Sequence, residues 1–275
     1  MTVTSPDVSP SATSGGRTSL WRRPEMIIAL TALVVSALSF GWTLTGHFVG
    51  DDFGYVARFY EYPLARWPRL FIEGWAGGTW GFQLRELRPI TALSFMVDGR
   101  IWEGNPFGYR LTNLMLHTAC AVMVGLMAWR VAGRGLACGL GATVFFALHP
   151  AHAEAVQWIT GRVDVLATAF YLAGFLAFWC YRMRGDRRWA IAAIGCYALA
   201  AFAKEFGLTL PLMFLAADVL WLRHGRQWRE ARTWLPYIGC IAVVTIGFLC
   251  RRVAFGSDVT GAAWPDLMNV EFQRS

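Results

Sequence analysis

The sequence has few charged residues and almost no lysine. Of its 275 residues only 16% are charged, whereas a soluble domain has about 25%. Lys204 is the only lysine, so the net charge of +7 comes from arginines that lie between apolar stretches. They do not form the single basic block of a nucleic-acid-binding tail, and no nucleic-acid partner is expected. The six cysteines include no C-x-x-C pair, so neither a zinc site nor a disulfide framework is indicated.

Apolar side chains are abundant instead. The hydrophobic share is 56%, the aromatic share is 15%, and the mean hydropathy is +0.40. A soluble domain of this size has no room to bury so many large apolar groups. A disordered or collagen-like chain is excluded by the same composition. The sequence therefore predicts an integral membrane protein.

Apolar segments divide the chain into seven predicted transmembrane helices and two tails. A lone spanning helix needs about 20 residues, and several segments are shorter, so they need flanking residues to cross the bilayer. The predicted spans are residues 26–46, 109–129, 136–148, 163–181, 189–203, 208–222 and 234–249. Residues 1–24, rich in Ser, Thr and Pro, are predicted to be a disordered tail. Residues 25–252 form the membrane domain, and residues 253–275 are predicted to be a polar C-terminal tail.

Arginines mark one side of this bundle. Three groups fall in alternate loops, on the same side as the N-terminal tail: Arg130 and Arg134; Arg182, Arg184, Arg187 and Arg188; and Arg223, Arg226, Arg229 and Arg232. An excess of arginine is typical of cytoplasmic loops, so that side is predicted to be cytoplasmic. The long loop 47–108 is then external. Within it, residues 90–102 are apolar for only about three turns, which favours an interfacial or re-entrant helix. Residues 154–159 are predicted to form a second short interfacial helix.

Polar and charged residues gather on the predicted external side. Such residues are costly in a bilayer and are candidates for function when they cluster. Arg110, Asn113 and His117 share one helical face, since they are three and four residues apart. The other members lie at helix ends or in loops: Asp51, Asp52, His149, His152, Glu154, Arg162, Asp164, Lys204 and Glu205.

Each group also has a structural interpretation. Asp51 and Asp52 are either a charge cluster at a helix end or include a general base. His149 and His152, with Glu154 nearby, either bind a metal or, as we favour, donate and accept hydrogen bonds. Arg162 and Asp164 form a salt bridge at a helix start, or bind substrate at the outer membrane surface. The turn at Lys204 and Glu205 is a solvated tip or part of the site. Asp218 is expected to pair with a neighbouring arginine such as Arg223.

Five ordered motifs carry a resemblance to a known family. They are F-V-G-D-D-F at 48–53, R-P-I-T-A-L-S-F at 88–95, G-Y-R-L-T-N-L-M-L-H at 108–117, F-A-L-H-P-A-H-A-E-A-V-Q-W-I-T-G-R-V-D-V-L-A-T at 146–168, and A-K-E-F-G-L-T-L-P at 203–211. Together they resemble the membrane part of the TPR-containing transmembrane O-mannosyltransferases and their bacterial relatives, in the GT-C glycosyltransferase superfamily. The resemblance covers residues 42–252. The sequence departs from it at Arg110, where relatives commonly have a histidine, and in having no TPR array.

The resemblance implies a fold, a reaction and roles for the clustered residues. The fold is a GT-C-like helical bundle in which the first external loop carries the acidic motif. Asp51 or Asp52 is expected to be catalytic, and Arg162 and Lys204 to meet the phosphate of the donor. The residues expected to bind donor phosphate or sugar are Arg88, Arg110, Asn113, His117, His149, His152, Glu154, Arg162, Asp164, Lys204 and Glu205. No cofactor or metal is expected.

The expected activity is transfer of a mannose-like hexose, with inversion, from a polyprenyl-phosphate donor. The acceptor is a hydroxyl of a protein Ser or Thr or of an envelope glycan or lipid, at the external face of the bacterial inner membrane. Two alternatives remain. One is a transporter or flippase for lipid-linked sugar, which needs the same polar cavity without chemistry. The other is an inactive, truncated membrane module, since family members usually continue for several more helices.

Overall fold

The computed structural model describes residues 24–75, 77, 79, 85–222 and 231–256. All regular structure in these residues is helical, with no strand. The predicted all-α membrane bundle is confirmed. The predicted tail 1–24 lies outside the described residues apart from Pro24, and so does the predicted C-terminal tail from residue 257 onward.

The described residues form ten α-helices. They are α1 (Pro24–Phe40), α2 (Asp52–Glu61), α3 (Pro89–Trp102), α4 (Pro106–Leu126), α5 (Gly135–Leu148), α6 (Ala153–Gln157), α7 (Arg162–Arg184), α8 (Arg187–Ala203), α9 (Leu210–Ala217) and α10 (Leu235–Phe255). Short 3-10 turns extend or link several of them, at Gly41–Thr45, Leu64–Phe71, Pro150–His152, Glu205–Thr209 and Ala231–Trp234. Single π turns continue α4 over Met127–Val131 and α9 over Asp218–Leu222.

A helix is present at each of the seven predicted spans, but seven crossings are not confirmed. Four described helical stretches are long and apolar enough to cross a membrane: Pro24–Thr45, Pro106–Val131, Arg162–Arg184 and Arg232–Phe255. A fifth is possible if Gly135–Leu148 and Pro150–Gln157, which meet at a 50° bend, count as one broken span. Helix α8, with 17 residues, and helix α9, with 8 residues, are short for a lone span. A short helix is present at each of the two segments predicted to be interfacial, as α3 and α6.

Local sequence signals set several helix ends. The side chain of Asn105 accepts a hydrogen bond from the amide of Phe107, and Pro106 occupies the first turn of α4. Helix α7 ends at Gly185, which has a left-handed backbone with φ of 71°. Asp186 then caps α8 by accepting from the amide of Arg188, at 2.9 Å. This tight turn makes α7 and α8 an antiparallel pair.

The bundle has two distinct ends. One end, which we call the loop face, consists of the described residues of 46–110, 149–162 and 204–209. There, α2 and α3 pack over the start of α4 around an aromatic cluster that includes Phe59, Phe95 and Tyr109. The opposite end, which we call the arginine face, consists of residues 181–189 and 231–235. Helix α10 runs from the arginine face back to the loop face, where Arg251 donates to the carbonyl of Arg85 at 3.0 Å.

Asp218 lies near the arginine face and, as predicted, pairs with an arginine. Arg182 binds both oxygens of its carboxylate, at 2.9 and 2.6 Å, and Tyr237 donates to it at 2.7 Å. Arg223, the arginine named in the prediction, lies outside the described residues. The contact with Arg182 has a geometric reason: Arg182 is on α7, which packs against α9 across the bundle. An arginine distant in sequence therefore reaches the carboxylate inside the bundle, where both side chains are buried.

Candidate active site

Asp51 and Asp52 are neighbours with different surroundings. The side chain of Asp52 is fully buried. One carboxylate oxygen accepts from the amide of Thr160 at 2.9 Å and from its hydroxyl at 2.7 Å. The other oxygen accepts from the amide of Val49 at 3.0 Å. Asp52 therefore ties the start of α2 to the turn that precedes α7, with no access to a substrate.

Asp51, in contrast, is exposed and borders a cleft of about 470 Å³ on the loop face. The cleft is lined by Val49, Gly50, Asp51, Arg110, Glu154, Gln157 and Trp158. It is formed by three segments that are far apart in sequence: the turn before α2, the first turns of α4, and α6. A carboxylate at the edge of an open polar cleft has the position that a general base requires.

Arg110 forms a wall of this cleft. Its guanidinium donates hydrogen bonds to the carbonyls of His47 and Gln157. Neither acceptor is charged, and no carboxylate among the described residues lies within salt-bridge distance of it, so its charge is balanced only by the longer-range interaction with Asp52. Gly46 allows the close approach, because a Cβ there would lie 2.9 Å from the guanidinium carbon. The cleft thus combines an accessible carboxylate with a fixed cation.

A second cavity, of about 310 Å³, adjoins the first. Its polar lining includes His117, His152, Glu154, Asp164 and Thr168, with apolar walls from α4, α5 and α7. Glu154 borders both cavities. Burial, and to a smaller extent the neighbouring His149, lower the pKa of His152 below its ordinary value, so this ring is neutral at pH 7. The structure brings four of the sequence-predicted residues to this cavity, namely His117, His152, Glu154 and Asp164.

Lys204 joins this second cavity through an ion pair. Its ammonium nitrogen lies 2.5 Å from a carboxylate oxygen of Asp164. Both side chains are partly exposed, at 30% for Lys204 and 48% for Asp164. A partly exposed ion pair of this kind opens at low cost, so the ammonium group remains available to a second anion.

Arg162 differs most from expectation, because it is enclosed within the bundle and pairs with Asp98 and not with Asp164. Its side chain is fully enclosed. It forms an ion pair with Asp98 at 2.6 Å, and donates to the side-chain oxygen of Asn113 and to the carbonyl of Tyr109, both at 2.8 Å. The guanidinium also lies over the ring of Phe95, 4.5 Å from its centroid. In this structure Arg162 therefore braces α3 and α4 against α7 and does not face a ligand.

The remaining predicted residues are dispersed around the two cavities. Arg88 pairs with Glu86 at 3.2 Å and with Glu205 at 3.3 Å, which links the start of α3 to the end of α8. Asn113 donates to the carbonyl of Trp158 at 3.0 Å and is fully buried. His149 accepts from the amide of Ala151 at 3.2 Å, as a cap of the following turn. None of these three borders the two cavities.

Sequence reasoning missed two residues of the site. Asp98 is a lone carboxylate within the apolar stretch of α3, a signal that pointed to a buried partner. Thr160 gave no signal, because a threonine in a loop is ordinary and its contact with Asp52 joins positions 108 residues apart. Among the described residues, no group of three or more His, Cys, Asp or Glu side chains has an arrangement that could hold a metal ion.

Comparison with known families identifies the bundle. Residues 94–254 match the family described as dolichyl-phosphate-mannose-protein mannosyltransferase, a stretch longer than half of the chain. The chain belongs to this mannosyltransferase family. The predicted resemblance to O-mannosyltransferases is confirmed. The matched stretch holds the second cavity, Arg110 and Arg162, and begins after Asp51 and Asp52.

Individual relatives agree with the family. Protein O-mannosyl-transferase TMTC4 of Mus musculus is 32% identical over 87 residues, 29% of this chain and 12% of that protein. Protein O-mannosyl-transferase TMTC1 of Mus musculus is 26% identical over 230 residues, 76% of this chain and 24% of that protein. The probable peptidoglycan glycosyltransferase FtsW of Halorhodospira halophila is 28% identical over 174 residues, 55% of this chain and 42% of that protein. The matched part thus spans less than half the length of each relative. No solved structure matches this chain.

Proposed function

We propose that this member of the mannosyltransferase family transfers a mannose-like hexose from a polyprenyl-phosphate donor to a hydroxyl acceptor, with inversion at the anomeric carbon. The acceptor is a protein Ser or Thr, or a hydroxyl of an envelope glycan or lipid. The observation that carries the proposal is the separation of the two acids. Asp51 opens onto a cleft beside a cation, and Asp52 is buried beneath it.

The proposed reaction begins with the acceptor hydroxyl beside Asp51. The carboxylate accepts the hydroxyl proton while the oxygen attacks the anomeric carbon from the side opposite the phosphate. The bond from the anomeric carbon to the phosphate oxygen breaks, and the phosphate leaves with the electron pair. One glycosidic bond replaces one glycosyl phosphate bond, and inversion follows from the single displacement.

The leaving phosphate needs positive charge close to it. Arg110 is the best placed cation, because it lies in the same cleft as Asp51 and no carboxylate is paired with it among the described residues. Lys204 is the second candidate, since its ammonium group requires only the opening of its contact with Asp164. Fixed cations stabilise the charge that develops on a leaving phosphate. Arg162 is not assigned this role, because it is enclosed.

The second cavity is the proposed binding site for the sugar. Its carboxylates and imidazoles provide the acceptors and donors that sugar hydroxyls require. Glu154, which borders both cavities, is placed to contact the sugar close to the point of transfer. The arginine face is proposed to be cytoplasmic and the loop face external, in agreement with the arginine bias of the loops.

The test is transfer of radiolabelled sugar by the purified chain in lipid nanodiscs, with a panel of polyprenyl-phosphate sugars and hydroxyl acceptors. We expect acceptor-linked label in the wild type and its loss in Asp51→Asn. Arg69→Gln, a change in the same loop but outside both cavities, serves as the matched control and should transfer normally. Donor binding without transfer to any acceptor would overturn the proposal in favour of a binding or transport function.

A further inference from the structure

The arginine face contains a polar pocket that the proposed reaction does not use. The pocket has a volume of about 310 Å³ and lies between the turn joining α7 and α8 and the start of α10. It is lined by Tyr181, Arg182, Met183, Arg184, Gly185, Arg232 and Thr233. Three guanidinium groups therefore border one concave surface, at the end of the bundle opposite the candidate active site.

The pocket is held in place by buried contacts. The hydroxyl of Tyr181 donates to the carbonyl of Arg232 at 2.6 Å, and Arg182 donates to the carbonyl of Thr233 at 3.1 Å. Both contacts join α7 to the segment before α10. Tyr181 and Thr233 are buried. Packing of the bundle therefore fixes the inner wall of the pocket, and the exposed side chains of Met183, Arg184 and Arg232 form its outer part.

The charge of the pocket is only partly neutralised. Asp218 neutralises Arg182, with which it forms a bidentate pair. Arg184 has no acidic partner within the part of the chain that the structure describes, and its guanidinium lies over the ring of Trp189, 5.5 Å from the centroid. Arg187 and Arg188 are also exposed on the same turn. The described turn 181–189 holds four arginines and one acidic residue, Asp186, and guanidinium groups bind phosphate oxygens in pairs.

Aromatic side chains place this pocket at the level of lipid headgroups. Trp189 lies beside the pocket, and Trp234, with 45% of its surface exposed, follows it at the start of α10. Tryptophan and tyrosine are enriched where a membrane protein crosses from the hydrocarbon core to the headgroup region. Exposed Met183 extends from the rim, at 64% exposure, beside the arginines. Apolar and cationic groups therefore lie side by side. A phospholipid has both an apolar tail and a phosphate that such groups can contact.

We propose that this pocket binds the phosphate headgroup of an anionic phospholipid, with Arg184 and Arg232 as the recognising cations. The interaction anchors the α7–α8 turn to the start of α10. It does not depend on the glycosyltransferase proposal, because the pocket is at the opposite end of the bundle from Asp51.

The test is thermal unfolding of the intact chain in nanodiscs of phosphatidylcholine alone and of phosphatidylcholine mixed equally with phosphatidylglycerol. We expect the mixed lipid to raise the melting temperature of the wild type. The double variant Arg184→Gln with Arg232→Gln should lose most of that rise. Titration of the detergent-solubilised protein with short-chain phosphatidylglycerol should show about five-fold weaker binding for each arginine removed.

Arg134→Gln is the matched control, because Arg134 is an exposed arginine of the same predicted side that does not line the pocket. It should retain the full rise. An equal loss in the control would overturn the proposal, because the effect would then be general membrane electrostatics. An equal rise with inorganic phosphate in place of the lipid would also overturn it, because the pocket would then be a site for the free ion. Sugar transfer, measured separately, should be retained in both variants.

Discussion

Thr160 donates two hydrogen bonds to one carboxylate oxygen of Asp52, from its amide at 2.9 Å and from its hydroxyl at 2.7 Å. This contact connects the first loop to the segment before α7, and it fixes the turn that carries Asp51. The buried acid is thus a positioning residue, and the exposed acid beside it is the proposed base. From the sequence alone, either residue could be the base. The structure separates the two by their exposure.

Thr160→Val should loosen this turn. The substitution removes the hydroxyl donor and leaves the amide in place, so we expect a loss of about 1 kcal/mol in the free energy of unfolding. The rate of transfer should fall about ten-fold, because Asp51 is held less well. Thr160→Ser keeps the hydroxyl and should restore both quantities. Equal defects in the serine and valine variants would show that the hydroxyl is not the cause.

Gly46→Ala should displace Arg110. A Cβ at this position would lie 2.9 Å from the guanidinium carbon, so the arginine must move. We expect the KM for the donor to rise about ten-fold or more. Gly41→Ala is the control, because nothing lies within 4 Å of a Cβ there. Steady-state kinetics of both variants measure the KM for the donor. An unchanged KM in Gly46→Ala would show that Arg110 does not bind the donor.

Arg162→Met should destabilise the bundle because it leaves Asp98 buried without its ionic partner. Breaking a buried ion pair in this way costs about 3–5 kcal/mol. The double variant with Asp98→Leu should recover much of the loss, because no unpaired charge remains. The free energy of unfolding of the single and double variants is measured in mixed detergent micelles. If the double variant loses as much stability as the two single variants together, the stabilising role of the Arg162–Asp98 pair is contradicted.

Stability should depend on pH through His152. Its pKa is lowered in the folded state, so the unfolded chain binds more protons, and the free energy of unfolding rises with pH. The melting temperature should therefore fall as the pH drops below the ordinary value of 6.5. His152→Gln should remove that part of the slope. A slope that is as steep in the variant as in the wild type would assign the dependence to another group.

Much of the architecture is predictable because apolar length and arginine bias follow directly from the properties of the bilayer. The helices at residues 189–203 and 208–222 are present at their predicted places, and so is the short helix α3. The number of crossings does not follow from apolar length, since α8 and α9 are too short to span alone and depend on neighbouring helices. Local hydropathy contains no information about those neighbours.

The site is predictable in outline, but not in its contacts. The motifs correctly bring Asp51, Arg110 and Glu154 together, because they lie at helix ends on one side of the bundle. The partners of Arg162 and Asp218 were not predictable, since each is set by packing between distant helices. Proximity in sequence favours Asp164 as the partner of Arg162 and Arg223 as the partner of Asp218, and the first of these pairs is wrong. Asp98, a lone carboxylate in an apolar helix, is the one signal that would have identified the partner of Arg162.

The most direct test compares chemistry with donor binding in the two aspartate variants. The donor affinity and the single-turnover rate of sugar transfer are measured for Asp51→Asn and Asp52→Asn in nanodiscs, together with the melting temperature. We predict that Asp51→Asn keeps its fold and its donor affinity but loses transfer, whereas Asp52→Asn loses stability and transfer together. Normal transfer by Asp51→Asn would contradict the account.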